Sequence, residues 1–189
     1  MTEAEWLASE DATSMLRFVG QTAGDRKLRL FACACSRDIF GDDLHTSQSI
    51  ALAERYADGL SDQSERDSVL QNLSANDLLS AWVLDSNMVE AAPFVTEHFG
   101  DDLRRLALAC VRDIFGNPFR PVTFSPAWRT EIAVALATQM YESRDFGAMP
   151  ILADALQDAG CDNDDILNHC RGDGPHVRGC WVVDLVLGK

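Results

Sequence analysis

Long apolar runs are missing from this sequence, as are Cys-x-x-Cys pairs, basic stripes and any extended stretch alternating with period two. Each absence excludes something. No segment approaches the roughly 20 apolar residues of a membrane-spanning helix; the apolar stretch 180–187 (CWVVDLVL) is far too short. Residues 1–16 (MTEAEWLASEDATSML) hold neither a basic region nor an apolar run, so they do not read as a secretory signal. The six cysteines then read as reduced thiols rather than a disulfide framework, and a cytoplasmic location is expected. Basic residues are scarce: 16 against 30 acidic ones, a formal charge of −14. Arg26, Lys27 and Arg29 are a local group beside Asp25. Such a chain should repel nucleic acid and acidic membrane surfaces. Without period-two runs there is no strand to assign, so the expected fold class is all-α.

What is present is a repeat. Residues 28–41 (LRLFACACSRDIFG) return as 103–116 (LRRLALACVRDIFG), 75 positions later. Leu28, Phe31, Ala32, Cys35 and Ile39 fall at i, i+3, i+4, i+7 and i+11. Leu103, Leu106, Ala107, Cys110 and Ile114 fall at the same places. This is one apolar stripe of a helix. Ala32, Ala34, Ala107 and Ala109 allow close approach of another helix. Gly41 and Gly116 stand where such a helix would stop. The likeness continues in Ala51-Leu52-Ala53 with Tyr56 against Ala135-Leu136-Ala137 with Tyr141, where the spacing grows to 84 and then 85. The extra residues lie in the Pro-rich loop 117–126 (NPFRPVTFSP), a rigid connector or a partner-binding loop. The expected architecture is a single domain over 1–189, either a compact helical bundle or a short HEAT-like stack. Its pseudo-repeats would span about 25–60 and 100–145, with a helical hairpin at about 161–189.

Local signals place the other helices. Thr2 with Glu5 is a capping box. Asp11 or Thr13 starts a second helix, ended by Gly20. Ser47 can cap a helix through Tyr56, and Ser61 starts a polar one. Asn76 caps a helix holding Leu78, Leu79 and Trp82, and 86–98 reads as a helix interrupted at Pro93. Ser125-Pro126 reads as the start of a helix carrying Trp128, Ile132, Leu136 and Met140. Pro150 opens the next, Asp162 caps 164–171, and a last helix is expected over 176–187.

The densest reactive set is Cys161, His169, Cys170, His176 and Cys180. Zinc is the cofactor these residue types suggest. If 162–171 is helical, Cys161 and Cys170 are roughly 13 Å apart at 1.5 Å per residue and cannot share an ion. His169 and Cys170 point about 100° apart on a helix, so one of the two would serve. His176 and Cys180 would lie on one helix face. Three ligands make an open site, and Cys33 or Cys35 could add a fourth; otherwise these cysteines pack at a helix crossing. A nucleophilic pair of Cys180 with His176 lacks an orienting partner. Asp184, set among apolar residues, needs an arginine if buried, and Arg37, Arg112, Arg171 and Arg178 are the candidates for a structural ion pair.

The stretches TEAEWLA, DRKLRLFACAC, ERYADGL, RDIFGNPFRPV, MPILADALQDAGC and HCRGDGPHVRGCWVVDLVLGK resemble a family of uncharacterised all-helical proteins multiplied in planctomycete bacteria. The match spans nearly the whole chain, and the last motif is its most specific part. The resemblance implies a cytoplasmic helical protein and brings no activity and no catalytic residues. Members carry another Cys where this chain has Ser36, which argues against a metal site depending on that position. The expected function is a non-enzymatic interaction or scaffold module with a protein partner and no catalytic site. The alternative is a zinc-binding protein or small metallohydrolase built on Cys170, His176, Cys180 and His169.

Overall fold

The computed structural model describes residues 1–40, 44–73, 78–85, 87 and 101–189, with the side chains at 39–40, 44–46, 78–79 and 101 left aside. The Gly41 stop, the Asn76 cap and the expected helix over 86–98 with its break at Pro93 lie outside the described residues. So does the Ile39 side chain. The described residues form eleven α-helices and one 3₁₀ turn, with no strand among them. The fold is all-α.

The chain divides into two compact units, Met1–Arg112 and Asp113–Lys189. The first holds α1 (Glu3–Ala8), α2 (Ala12–Val19), α3 (Asp25–Phe40), α4 (Leu44–Ala57), α5 (Gln63–Asn72) and α6 (Leu78–Val83). It also holds most of α7 (Asp101–Phe115). Thr2 closes a capping box with Glu5, and Asp11 accepts the amide of Thr13 at the start of α2. α4 begins at Leu44, before Ser47; the start of α5 is capped by Asp62, one residue after the expected Ser61. α3 packs on α4 and α6, and its Leu28, Phe31, Ala32 and Cys35 are all fully buried. Burying each large apolar side chain contributes about 1.5–3 kcal/mol.

Charge is used sparingly inside this unit. Arg29 of α3 is buried and donates to the carbonyls of Val83 at 2.7 Å and Asp85 at 2.8 Å. It satisfies acceptors that the end of α6 leaves without intrahelical donors. Arg37 of α3 meets Glu54 of α4 at 3.1 Å. Tyr56 carries two cations over its ring, Arg29 at 5.0 Å and Arg66 at 5.1 Å.

The second unit runs from the last turn of α7 through a 3₁₀ turn (Pro126–Trp128) to α8 (Glu131–Ser143), α9 (Met149–Asp158), α10 (Asp164–Arg171) and α11 (Trp181–Leu187). The Ser125-Pro126 signal starts only the 3₁₀ turn. That turn ends at Arg129, whose ψ of 61° is not helical, and Thr130 caps the true helix by accepting the amide of Ala133. α8 packs on α9 and α11, while α10 packs on α9 and α11. The core is Ala133, Ala137, Met140, Leu152, Ala153, Leu156, Ile166, Val182, Val183 and Val186. Arg129 donates to the carbonyls of Leu185 and Val186, closing the end of α11. Tyr141 also bears two cations, Arg178 at 4.4 Å and Lys189 at 4.6 Å.

Candidate metal centre

Four segments of the second unit bring one side chain each to a common point. Asp113 comes from the last turn of α7. It follows Cys110 by three residues and precedes Ile114, so it shares the inward stripe and is buried. His169 comes from the last turn of α10, three residues after buried Ile166. His176 lies in the connection after Pro175. Cys180 is the residue that enters α11.

The expected helix over 176–187 begins five residues late, at Trp181. His176 and Cys180 are therefore not on one helix face. Gly172-Asp173-Gly174-Pro175 breaks the chain, and Gly179 takes φ +95°, a left-handed value that glycine adopts without strain. The connection is pinned instead by Asp113, whose Oδ2 accepts the Val177 amide at 2.9 Å. The turn is what lets both residues face Asp113.

The donor atoms of Asp113, His169, His176 and Cys180 all lie within 4.8 Å of one another. Asp113 Oδ1 is 2.7 Å from His176 Nδ1 and 3.1 Å from His169 Nε2. His169 Nε2 is 3.2 Å from Cys180 Sγ. The side chains of Asp113 and His176 are 3% and 8% exposed, that of His169 is 18% exposed, and Cys180 is wholly buried. The edge-on rings of His169 and His176 sit 4.9 Å apart. Burial pushes the Asp113 carboxyl up, but hydrogen bonds from His169 and His176 outweigh it and hold the group below its ordinary value. Burial, aided by the Asp113 charge, pushes the Cys180 thiol well up.

This geometry does not suit nucleophilic catalysis. Cys180 meets His169 rather than His176, and both Cys180 and Asp113 contact the same nitrogen of His169. One nitrogen has one proton or one lone pair, so it cannot take a proton from sulfur while an acid orients the ring through the other nitrogen. A raised thiol pKa makes the sulfur a poor nucleophile as well. Tetrahedral zinc, with bonds of about 2.0–2.1 Å to N or O and 2.3 Å to S, places its ligands roughly 3.3–3.6 Å apart. To reach that spacing Asp113 Oδ1 and His176 Nδ1, 2.7 Å apart, would open by about 0.6 Å, and the widest pair, within 4.8 Å, would close by up to about 1.5 Å. The other ring nitrogen of His176, Nε2, is buried without a hydrogen-bond partner, while the nitrogen that faces the cluster, Nδ1, is met by Asp113.

Of the sequence-derived metal candidates, His169, His176 and Cys180 converge and Cys170 does not. Cys170 is fully buried, and burial pushes its thiol up to about 12. That fits core packing. The fourth group is Asp113, not Cys33 or Cys35, which belong to the first unit. Sequence reasoning missed Asp113. Its one signal was an acid on the apolar stripe of α7, 56 residues before His169. Asp184 is buried; of the arginines named for it, Arg37 meets Glu54 and Arg171 meets Asp154. No family model, curated protein or solved structure matches the chain.

Proposed function

We propose that this chain is a non-enzymatic helical module whose second unit is stapled by a structural zinc ion held by Asp113, His169, His176 and Cys180. The convergence of four donor atoms from four segments within 4.8 Å carries the reading. A carboxylate, two imidazoles and a thiolate are ligands that zinc accepts, and four protein ligands leave no open position for water. That favours a structural ion over a metallohydrolase. Zinc would be expected to deprotonate Cys180, whose thiol is otherwise held neutral. Protein purified without a histidine tag should contain about one zinc per chain, and cobalt substitution should give intense tetrahedral bands with thiolate charge transfer. Zinc below about a tenth per chain, with no cobalt spectrum on adding the metal, would end the reading.

A binding role for the first unit is supported by an open groove of about 710 Å³ along α4 and α5. Leu52, Val69 and Leu73 line it beside Arg55 and Glu65. The charge of −14 supports a protein partner rather than a nucleic acid. A cross-linker placed at Leu73 should capture one discrete protein, and Val69→Glu should abolish the capture. A pattern unchanged by Val69→Glu counts against this role.

A further inference from the structure

His169 is the most exposed of the four ligands and has the most freedom to swing away. Two neighbours limit it. The His176 ring stands edge-on at 4.9 Å, and the Trp181 indole lies 5.1 Å away, tilted by 56°. Trp181 is itself seated by Gly116. This glycine takes φ +63° just past the end of α7. A Cβ built there would stand 3.2 Å from Trp181 Cγ and 3.3 Å from Cδ1 and Cδ2, so only the bare backbone lets the indole come this close.

The covalent order gives this seat its meaning. Gly116 follows Asp113 by three residues, and Trp181 follows Cys180 by one. Both members of the seat are thus chained to metal-binding positions. The Trp181 contact with the His169 ring ties that ring to the carboxylate and the thiol.

We propose that Trp181, seated on Gly116, is a positioning residue that aims His169 at the ion. The proposal rests on the zinc reading above. Groups that orient a metal-bound histidine typically change affinity by about 10- to 100-fold. The test measures cobalt and zinc affinity by chelator competition, together with the cobalt spectrum, for the whole chain and for Trp181→Leu and Trp181→Phe. Trp181→Leu should bind at least about tenfold more weakly. It should keep thiolate charge transfer from Cys180 while its tetrahedral bands lose intensity. Trp181→Phe, which restores a ring against His169, should recover most of both. A folded Trp181→Leu with the affinity and spectrum of the unaltered protein would overturn the proposal and leave the zinc reading standing. An unaltered protein that takes up no metal would overturn both. Should Trp181→Leu not fold, Gly116→Ala gives the answer, because it keeps the indole but crowds its seat at Cγ, Cδ1 and Cδ2. Several-fold weaker binding is expected, and unchanged binding counts against the seat.

Discussion

The two copies of the repeated helix share most of their residues and put them to different uses. In α3 and α7 the stripe positions agree: Ala32 and Ala107 are fully buried, and so are Cys35 and Cys110. The equivalents of Leu28 and Phe31 are less enclosed, Leu103 at 8% exposure and Leu106 half-buried. Off the stripe the copies part. Leu30 is buried, whereas its equivalent Arg105 is exposed; Arg29 is buried against the end of α6, whereas Arg104 is exposed. Arg37 pairs with Glu54, whereas Arg112 donates to the Ser9 carbonyl at 2.7 Å. Most telling are the two aspartates. Asp38 is exposed, and its counterpart Asp113 is buried under two imidazoles and a backbone amide. An amphipathic pattern specifies which face turns inward, but what meets that face is supplied by other parts of the chain.

The sharpest way to break this comparison is to remove each aspartate. Asp113→Ala should abolish stoichiometric zinc binding. In metal-free protein it should cost about 3–5 kcal/mol, since buried groups lose their charged partner. Asp38→Ala should leave stability within about 0.5 kcal/mol. Denaturant unfolding with metal analysis reads both, and equal losses would refute the asymmetry. Next come the stripes. Phe31→Ala should cost about 3–5 kcal/mol by leaving a cavity, while Leu106→Ala, at a half-buried site, should cost about 1 kcal/mol. Equal costs would mean that the copies are packed alike.

Acidity separates the two units more gently. In metal-free protein Asp113 sits below its ordinary value of 3.8. Its stabilisation is fully present above that pH and is lost as pH falls through the folded value. Asp113→Asn should remove that part of the acid transition. Zinc affinity should rise about tenfold per pH unit near neutrality, because Cys180 gives up a proton on binding. Affinity that does not vary with pH would show that the thiol is not a ligand. The smallest effect is expected at Arg105, whose contact with Asp102 is long, 3.8 Å, and fully exposed. Arg105→Ala should change stability by less than about 0.5 kcal/mol by thermal unfolding, whereas Leu30→Ala at the equivalent place should cost about 2–5 kcal/mol.

Much of the fold is legible in local signals. The Thr2 capping box, the Asp11 cap, the apolar stripes and the Pro150 start all act within a turn or two of helix, where spacing alone decides geometry. Where two local signals compete, the more conspicuous one misleads: Thr130 rather than Ser125-Pro126 starts α8, and the last helix does not reach back to His176. Three of the four converging residues are legible as reactive types near the end of the chain. Asp113 is not, because the same RDIFG in the first copy leaves its aspartate in water.

By itself, then, the amino-acid order determined that this protein is helical, that Leu28, Phe31, Ala32 and Cys35, like Leu103, Ala107, Cys110 and Ile114, turn inward, and that histidines and cysteines gather near its C-terminal end. Those outcomes follow from interactions between residues a few positions apart. Only tertiary structure decided that Asp113 meets His169, His176 and Cys180, that Cys170 turns into the core, and that Trp181 rests on Gly116. These contacts join positions about 55 to 70 residues apart along the chain. Their formation depends on how helix ends and the turn at Gly179 direct the chain in space, which no periodicity records.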